Sequence, residues 1–216
     1  MRGIRIIFNG ERIHTGDDLD LVQEKKVIEK PVIQSHIVQV PGRNGLLNLT
    51  KGLTGKVTYY NRTLSFQYFG SGDREHLLKL DDFMSKYHGQ TIRIIDDDRP
   101  GHYYEGEASV STELKLGYIT ITLTVDAQPF RLKTEPTILT RAISNTTIKL
   151  YLENESIEVI PTITVTGDIT IAFNGTTVSL SSGTYALESI VFLAGVNVVT
   201  VSGTGSITFK YQEGAI

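Results

Sequence analysis

The densest set of chemistry-bearing side chains lies in IIDDDRPGHYYEGE, residues 94–107, which carries Asp96, Asp97, Asp98, His102, Glu105 and Glu107. Carboxylates and imidazole are hard-ligand types suited to a divalent cation, and paired acids can perform general acid and base chemistry. The local pattern argues for less. Strand signals flank the stretch on both sides, Asp-Arg-Pro-Gly is turn chemistry, and adjacent aspartates on a turn point in different directions instead of converging on one ion. A solvated hairpin tip is the expectation. A second stretch, HTGDDLD, offers His14, Asp17, Asp18 and Asp20, but its spacing lacks the alternate ligands and following glycine of a calcium loop and reads as a polar loop.

The remaining histidines, His36, His76 and His88, stand alone in strand or helix patterns. With no GxSxG motif, no nucleophile–base–acid set can be assembled. GLTGK, residues 52–56, has two glycines and a lysine without the spacing or the following helix of a phosphate cradle, and reads as a turn. There are no cysteines, which excludes disulfides, thiol catalysis and cysteine-ligated zinc or iron–sulfur centres. Five Asn-X-Ser/Thr triplets begin at Asn48, Asn61, Asn145, Asn154 and Asn174; they reflect a threonine-rich β composition more than glycosylation. The sequence therefore predicts no catalytic site, no metal site and no cofactor.

One loop invites a different reading. In VPGRNGLLNLT, residues 40–50, Pro41 lacks an N–H and ends a strand ladder, Gly42 and Gly45 permit positive φ, and Arg43 with Asn44 is held at the tip. A structural corner and a contact with a partner through Arg43 both fit. Pro41, Gly42, Arg43, Asn44 and Gly45 are the candidate oligomer or partner interface.

The elements that carry these residues are mostly strands. YITITLTV alternates Ile119, Ile121, Leu123 and Val125 with Tyr118 and threonines, RTLSFQYF does the same with Leu64, Phe66 and Tyr68, and Asn9-Gly10 is a favoured two-residue hairpin turn. One helix is expected over about 73–88, with Asp73 as N-cap, Leu77, Leu80, Met84 and Tyr87 at spacings of three and four, and Gly89 at its end. After DAQPFRLKTEPT the composition changes. Residues 1–136 hold 18 basic and 18 acidic side chains, whereas 137–216 hold 3 and 6 and are rich in Thr, Ser, Val and Gly. This predicts domains over 1–130 and 137–216 with a linker at 131–136. The second part reads as short strands, DITIAF, TTVSL, SIVFL, VNVVTV and SITFKY, separated by Asn174-Gly175, Ser182-Gly183, Ala194-Gly195 and SGTG, and so as a sandwich or jelly roll.

The chain of 216 residues is 40% hydrophobic, enough for a real core. Its net charge of −3 supplies no field to attract nucleic acid or an anionic membrane. Neither a signal peptide nor a membrane span is expected, because no long uninterrupted apolar run occurs.

The run VPGRNGLLNLTKGLTGKVTYYNRTLSFQYF, followed by LLKLDDFMSKYHGQTIRIIDDDRPGHYYEGEASV, resembles the N-terminal domain of siphophage distal tail proteins, the Dit family. TVTGDITIAFNGTTVSLSSGTYAL with GVNVVTVSGTGSITFKY resembles the β-sandwich that follows it there. Pro41, Gly42, Arg43 and Gly45 match the family's Pro-Gly-Arg-Asp-Gly loop, whereas Asn44 departs from it and removes a negative charge beside Arg43. The resemblance implies a mainly β protein: an N-terminal β-sandwich or barrel-like ring domain with one helix, then a galectin-like β-sandwich. It also implies a non-enzymatic role in the virion, at the distal end of a phage tail. There a hexameric ring joins the tail tube to the baseplate and host-adsorption apparatus and leaves a channel through which DNA passes without specific binding. The implied partners are further copies of the chain, the tail tube protein, the tape-measure protein, a tail-associated lysin or tail fibre, and receptor-binding proteins. Two other classes compete with this reading: a carbohydrate-binding adhesin acting through the C-terminal sandwich, which glycan binding that needs a specific aromatic such as Phe192 or Tyr185 would favour although no aromatic pair is assignable to a glycan, and a tail-associated hydrolase. The absence of any nucleophile or paired-acid constellation ranks the hydrolase last.

Overall fold

A computed structural model describes residues 2–42, 44–45, 47–50 and 55–216. The chain divides into two compact units, residues 1–131 with Ile216, and residues 132–215.

The first unit contains strands β1 (Ile4–Phe8), β2 (Glu11–His14), β3 (Val22–Ile28), β4 (Ile37–Val38), β5 (Leu47–Asn48), β6 (Arg62–Ser71), β7 (Thr91–Asp96), β8 (His102–Lys115) and β9 (Tyr118–Ala127), with helix α1 (Arg74–Tyr87) between β6 and β7. Seven strands of this unit follow one another in the order β2-β1-β7-β8-β9-β6-β3 within a nine-stranded sheet, with antiparallel neighbours. The path runs from one edge strand to another, so it is an open sheet and not a closed barrel. β1 and β2 are joined by Asn9-Gly10 with φ of 50° and 83°, the double positive φ that a two-residue hairpin turn requires.

Asp73 caps α1 by accepting from the His76 N–H at 2.9 Å, and the helix buries Leu80, Phe83 and Tyr87 against the sheet. Beneath it the alternating residues Leu64, Phe66 and Tyr68 of β6 and Ile119, Ile121, Leu123 and Val125 of β9 are all buried. At the C-terminal end of α1, His88 Nδ1 accepts the Val110 N–H of β8 at 3.1 Å, which gives that lone histidine a structural role.

The second unit is built from β10 (Arg131–Lys133), which crosses the boundary, β11 (Thr137–Asn154), β12 (Thr162–Phe173), β13 (Thr176–Leu180), β14 (Gly183–Ala186), β15 (Gly195–Tyr211) and β16 (Gly214–Ala215). The main sheet runs β11-β15-β12-β13, and β14 pairs with the first half of β12 while β13 pairs with the second. Here the expected segmentation is corrected. SGTG does not separate two strands, since β15 continues through it for 17 residues, and TITVTG joins DITIAF in one 12-residue β12. SIVFL is not a strand: Phe192 makes only an isolated bridge with Val159.

The continuity has a physical cause. Gly203 pairs with Ile169, and Gly205 with Gly167, so the ladder survives while positive φ at Gly167 (85°), Gly203 (123°) and Gly205 (141°) turns all the strands together. In β11 the matching adjustment is a register shift between Ser144 and Thr146, with Asn145 at φ 53°. A Cβ on Gly205 would lie 1.7 Å from the Thr166 carbonyl oxygen, so no other residue fits there without moving the backbone. The bulge also switches which positions of β11 face inward: Ile143 is buried before it, Leu150 and Leu152 after it. The core is completed by Ile163, Val165, Ile169, Ile171, Phe192, Val199, Val201, Ile207 and Phe209.

A small polar clamp sits in the same unit. Glu213, 4% exposed, accepts from Lys133 Nζ at 2.8 Å and from the Thr137 hydroxyl. Burial alone would raise the Glu213 pKa, but these bonds hold the carboxyl below its ordinary range.

Candidate functional site

The acidic stretch at 94–107 lies where β7 turns into β8, and its three aspartates are committed to internal contacts. Asp96 is buried and takes Lys26 Nζ of β3 at 3.0 and 2.8 Å; Asp98 takes the same ammonium at 2.5 Å. Two of the aspartates therefore converge, on a lysine, contrary to the expectation that they would diverge. The reason is that the Asp98 N–H folds back onto Asp96 Oδ1 at 3.2 Å, which brings the i and i+2 carboxylates to one side. Desolvation would lower the Lys26 pKa, yet the hydrogen bonds from both carboxylates raise it overall. Asp97 turns away, accepting the Gly3 N–H at 3.1 Å and meeting His14 Nε2 at 2.9 Å.

His14 is thereby drawn in from the second candidate stretch. The Asp17 N–H lies 2.9 Å from His14 Nδ1, and the other ring nitrogen, Nε2, meets Asp97 Oδ2 at 2.9 Å. The His14 N–H donates to Asp18 Oδ2 at 2.6 Å. The two polar stretches that could have held a metal instead fasten β2, β3 and the β7–β8 turn to one another, and no metal-type group of His, Asp and Glu occurs among the described residues.

The Pro41–Gly45 loop occupies the tip of a hairpin. Its flanks, β4 and β5, pair through Ile37 with Asn48 and Val38 with Leu47. Below them the chain from β3 and the chain to β6 keep pairing: the Glu29 N–H donates to the Thr63 carbonyl, the Tyr60 N–H to Val32, the Gln34 N–H to Thr58 and the Leu49 N–H to His36, at 2.7–3.2 Å. The Tyr59 and Phe130 rings meet edge-on at 5.8 Å near its base. Gly42 and Gly45 have φ of 79° and 85°, and Pro41, Gly42, Asn44 and Gly45 are exposed. Arg43 and residues 52–54 of GLTGK lie outside the described residues.

This arm, residues 29–61, gives no described residue to the core of the first unit. It displays apolar side chains instead: Val32 is 65% exposed, Tyr60 57%, Ile37 51%, Val38 46% and Ile33 45%. A segment ordered by its own ladder, with apolar side chains turned to solvent, has the character of an interface awaiting a partner. Sequence reasoning located the tip and missed the apolar flanks, because the single residues Val32, Ile33, Ile37 and Val38 look like ordinary strand residues until the core is known to exclude them.

The two aromatics whose involvement would mark an adhesin differ in access. Phe192 is fully buried between Phe173, Phe209 and Tyr211, and the half-buried Tyr185 donates its hydroxyl to the Ser181 carbonyl.

No protein-family model matches the chain, and no curated protein matches it. Among solved structures the chain is similar to SPP1 Dit, described as a paradigm of the hub adsorption apparatus in phages infecting Gram-positive bacteria. The TM-score is 0.68 at 13% sequence identity, covering 99% of each chain. At that identity the likeness establishes the fold: a mainly β, Dit-like arrangement with one helix among the described residues.

Proposed function

We propose that this chain is a structural component of a phage tail tip, with its first unit building a hexameric ring and its second unit, galectin-like in this reading, facing outward as a dock for other baseplate proteins. The ring joins the tail tube to the host-adsorption apparatus and leaves a channel for DNA. The observation that carries the reading is the arm of residues 29–61, which displays apolar side chains and gives none of its described residues to the hydrophobic core. A second copy of the chain is the natural occupant: a head-to-tail contact repeated around an axis closes into a ring. The balanced 18 basic and 18 acidic side chains of residues 1–136 suit neighbours meeting through complementary patches. The match in fold along the whole length of SPP1 Dit supports the same reading.

The partner-facing residues are Pro41, Gly42, Arg43, Asn44 and Gly45, together with the apolar flanks. Light scattering over a wide concentration range, with cryo-electron microscopy of the parent tail, tests the proposal. A concentration-dependent hexamer whose formation is weakened in Arg43→Ala is expected. Discovery of the protein in tails as a non-ring component, or of a pore lined with clustered lysine and arginine that would grip DNA phosphates, overturns it.

A further inference from the structure

The first unit contains a cleft of about 430 Å³ whose lining includes Lys30, Arg62, Arg99 and Arg131. Asp96 and Asp98 also reach it, but both are taken up by Lys26. Glu29, which is exposed, is the remaining acidic side chain among the described lining residues, and Ile216 with its terminal carboxylate lines the cleft as well, against four cations.

Two of those cations are withdrawn from solvent, Arg62 almost wholly and Arg131 in part. Arg62 is 4% exposed; its Nε and one terminal nitrogen donate to the Pro129 carbonyl, and its guanidinium carbon lies 5.3 Å from the centre of the Tyr104 ring. Those contacts hold the side chain in place without supplying a negative charge. Arg131 has a buried Nε–H with no acceptor. A buried donor left unpaired is costly, and like charges gathered at one cleft add to that cost. The Arg62 pKa accordingly falls, first through desolvation and then through the positive charges of Arg131 and Arg99.

We infer that this cleft is an oxyanion-binding site, accepting one phosphate or carboxylate group on the guanidiniums of Arg131 and Arg62, with Arg99 and Lys30 at its rim. The guanidinium is a planar fork of donors whose geometry matches both oxyanions, and its charge does not titrate near neutral pH. The site is independent of the ring proposal, because every residue it uses belongs to one chain.

The test is a titration of the full-length protein at constant ionic strength, replacing sodium chloride with sodium phosphate in one series and with sodium acetate in another. Isothermal calorimetry and thermal unfolding are the readouts. A ligand that binds the folded state raises the melting temperature in a saturable way. One-site saturation is expected in the wild type, with affinity reduced at least about tenfold in Arg131→Met and Arg99→Ala, since each removes a charged contact. Arg99 is exposed, so its variant remains informative if Arg131→Met fails to fold. Saturation by phosphate alone assigns a phosphate group as the occupant; comparable saturation by acetate assigns a carboxylate, as a protein side chain would supply. No saturable response to either ion, or an undiminished response in the variants, overturns the inference.

Discussion

The two units obtain their shape by opposite means. The first sheet is fastened by charged and polar side chains, with Lys26, Asp96, Asp97, Asp98 and His14 tying its strands to the β7–β8 turn, and it is covered by a helix. The second carries few charges and is shaped by backbone conformation, with Gly167, Gly203 and Gly205 turning its long strands without breaking their pairing. A side-chain clamp can be loosened one bond at a time, whereas a backbone corner tolerates no gradual change. The arm lies at a third extreme, where the exposed apolar side chains Val32, Ile33, Ile37, Val38 and Tyr60 stand outside the hydrophobic core.

The largest test of that comparison is Gly205→Ala. Its added Cβ would meet the Thr166 carbonyl oxygen at 1.7 Å in a backbone of φ 141°, and we expect a loss of about 4 kcal/mol or more, the range reserved for severe core or backbone defects. Hydrogen exchange should show lost protection in β12 and β15, with β6 and β9 retained. Protection lost equally in both units would show that they do not unfold separately.

The clamp of the first unit should respond more mildly. Asp96→Asn leaves Lys26 paired with Asp98 and should cost about 1–3 kcal/mol, the range for a disturbed buried polar group, as read by chemical denaturation at pH 7.

Smaller still is Glu213→Gln, at about 1 kcal/mol near neutral pH for weakened hydrogen bonds. Because the folded pKa of Glu213 is depressed, its contribution is fully present above the ordinary glutamate value of about 4.3 and is lost as pH falls through the folded value. The variant should therefore flatten part of the acid limb of a stability-against-pH curve. An unchanged acid limb would mean that other carboxylates govern it.

The smallest effect on stability is expected from Ile37→Ser with Val38→Ser, within about 0.5 kcal/mol for substitutions outside the core. The same pair should abolish self-association in light scattering. A large drop in melting temperature with assembly intact would return the arm to a purely structural role.

Much of the first unit was legible because its signals are local. The Asp73 cap, the three- and four-residue spacing of α1, the Asn9-Gly10 turn and the period-two runs of β6 and β9 each depend on residues near in sequence, and each stands where expected. SGTG misled because glycine signals positive φ without saying whether the ladder stops; only pairing with Gly167 and Asp168, far away in sequence, decides that it continues. The acidic clusters were read as a solvated hairpin tip and a polar loop, whereas Asp96 is buried against Lys26, and their partners were hidden. Lys26 and His14 meet the β7–β8 turn across gaps of about 70 and 83 residues, which no short-range pattern encodes. The cationic cleft was invisible for the same reason, since Arg62, Arg99 and Arg131 share no spacing.

The sheet order also sets a timetable for synthesis. β1 leaves the ribosome well before its inner neighbour β7, with which it pairs through residues such as Ile6 and Ile94, and β6 waits for β9, through Phe66 with Leu123. The first sheet cannot close until about residue 127 has emerged. Until then Ile4, Ile6, Leu64 and Phe66 remain uncovered while translation proceeds at ~5–20 residues per second. The local β1–β2 hairpin can form early but leaves its outer edge open. The nascent chain thus passes through an interval of several seconds in which chaperone capture competes with sheet closure.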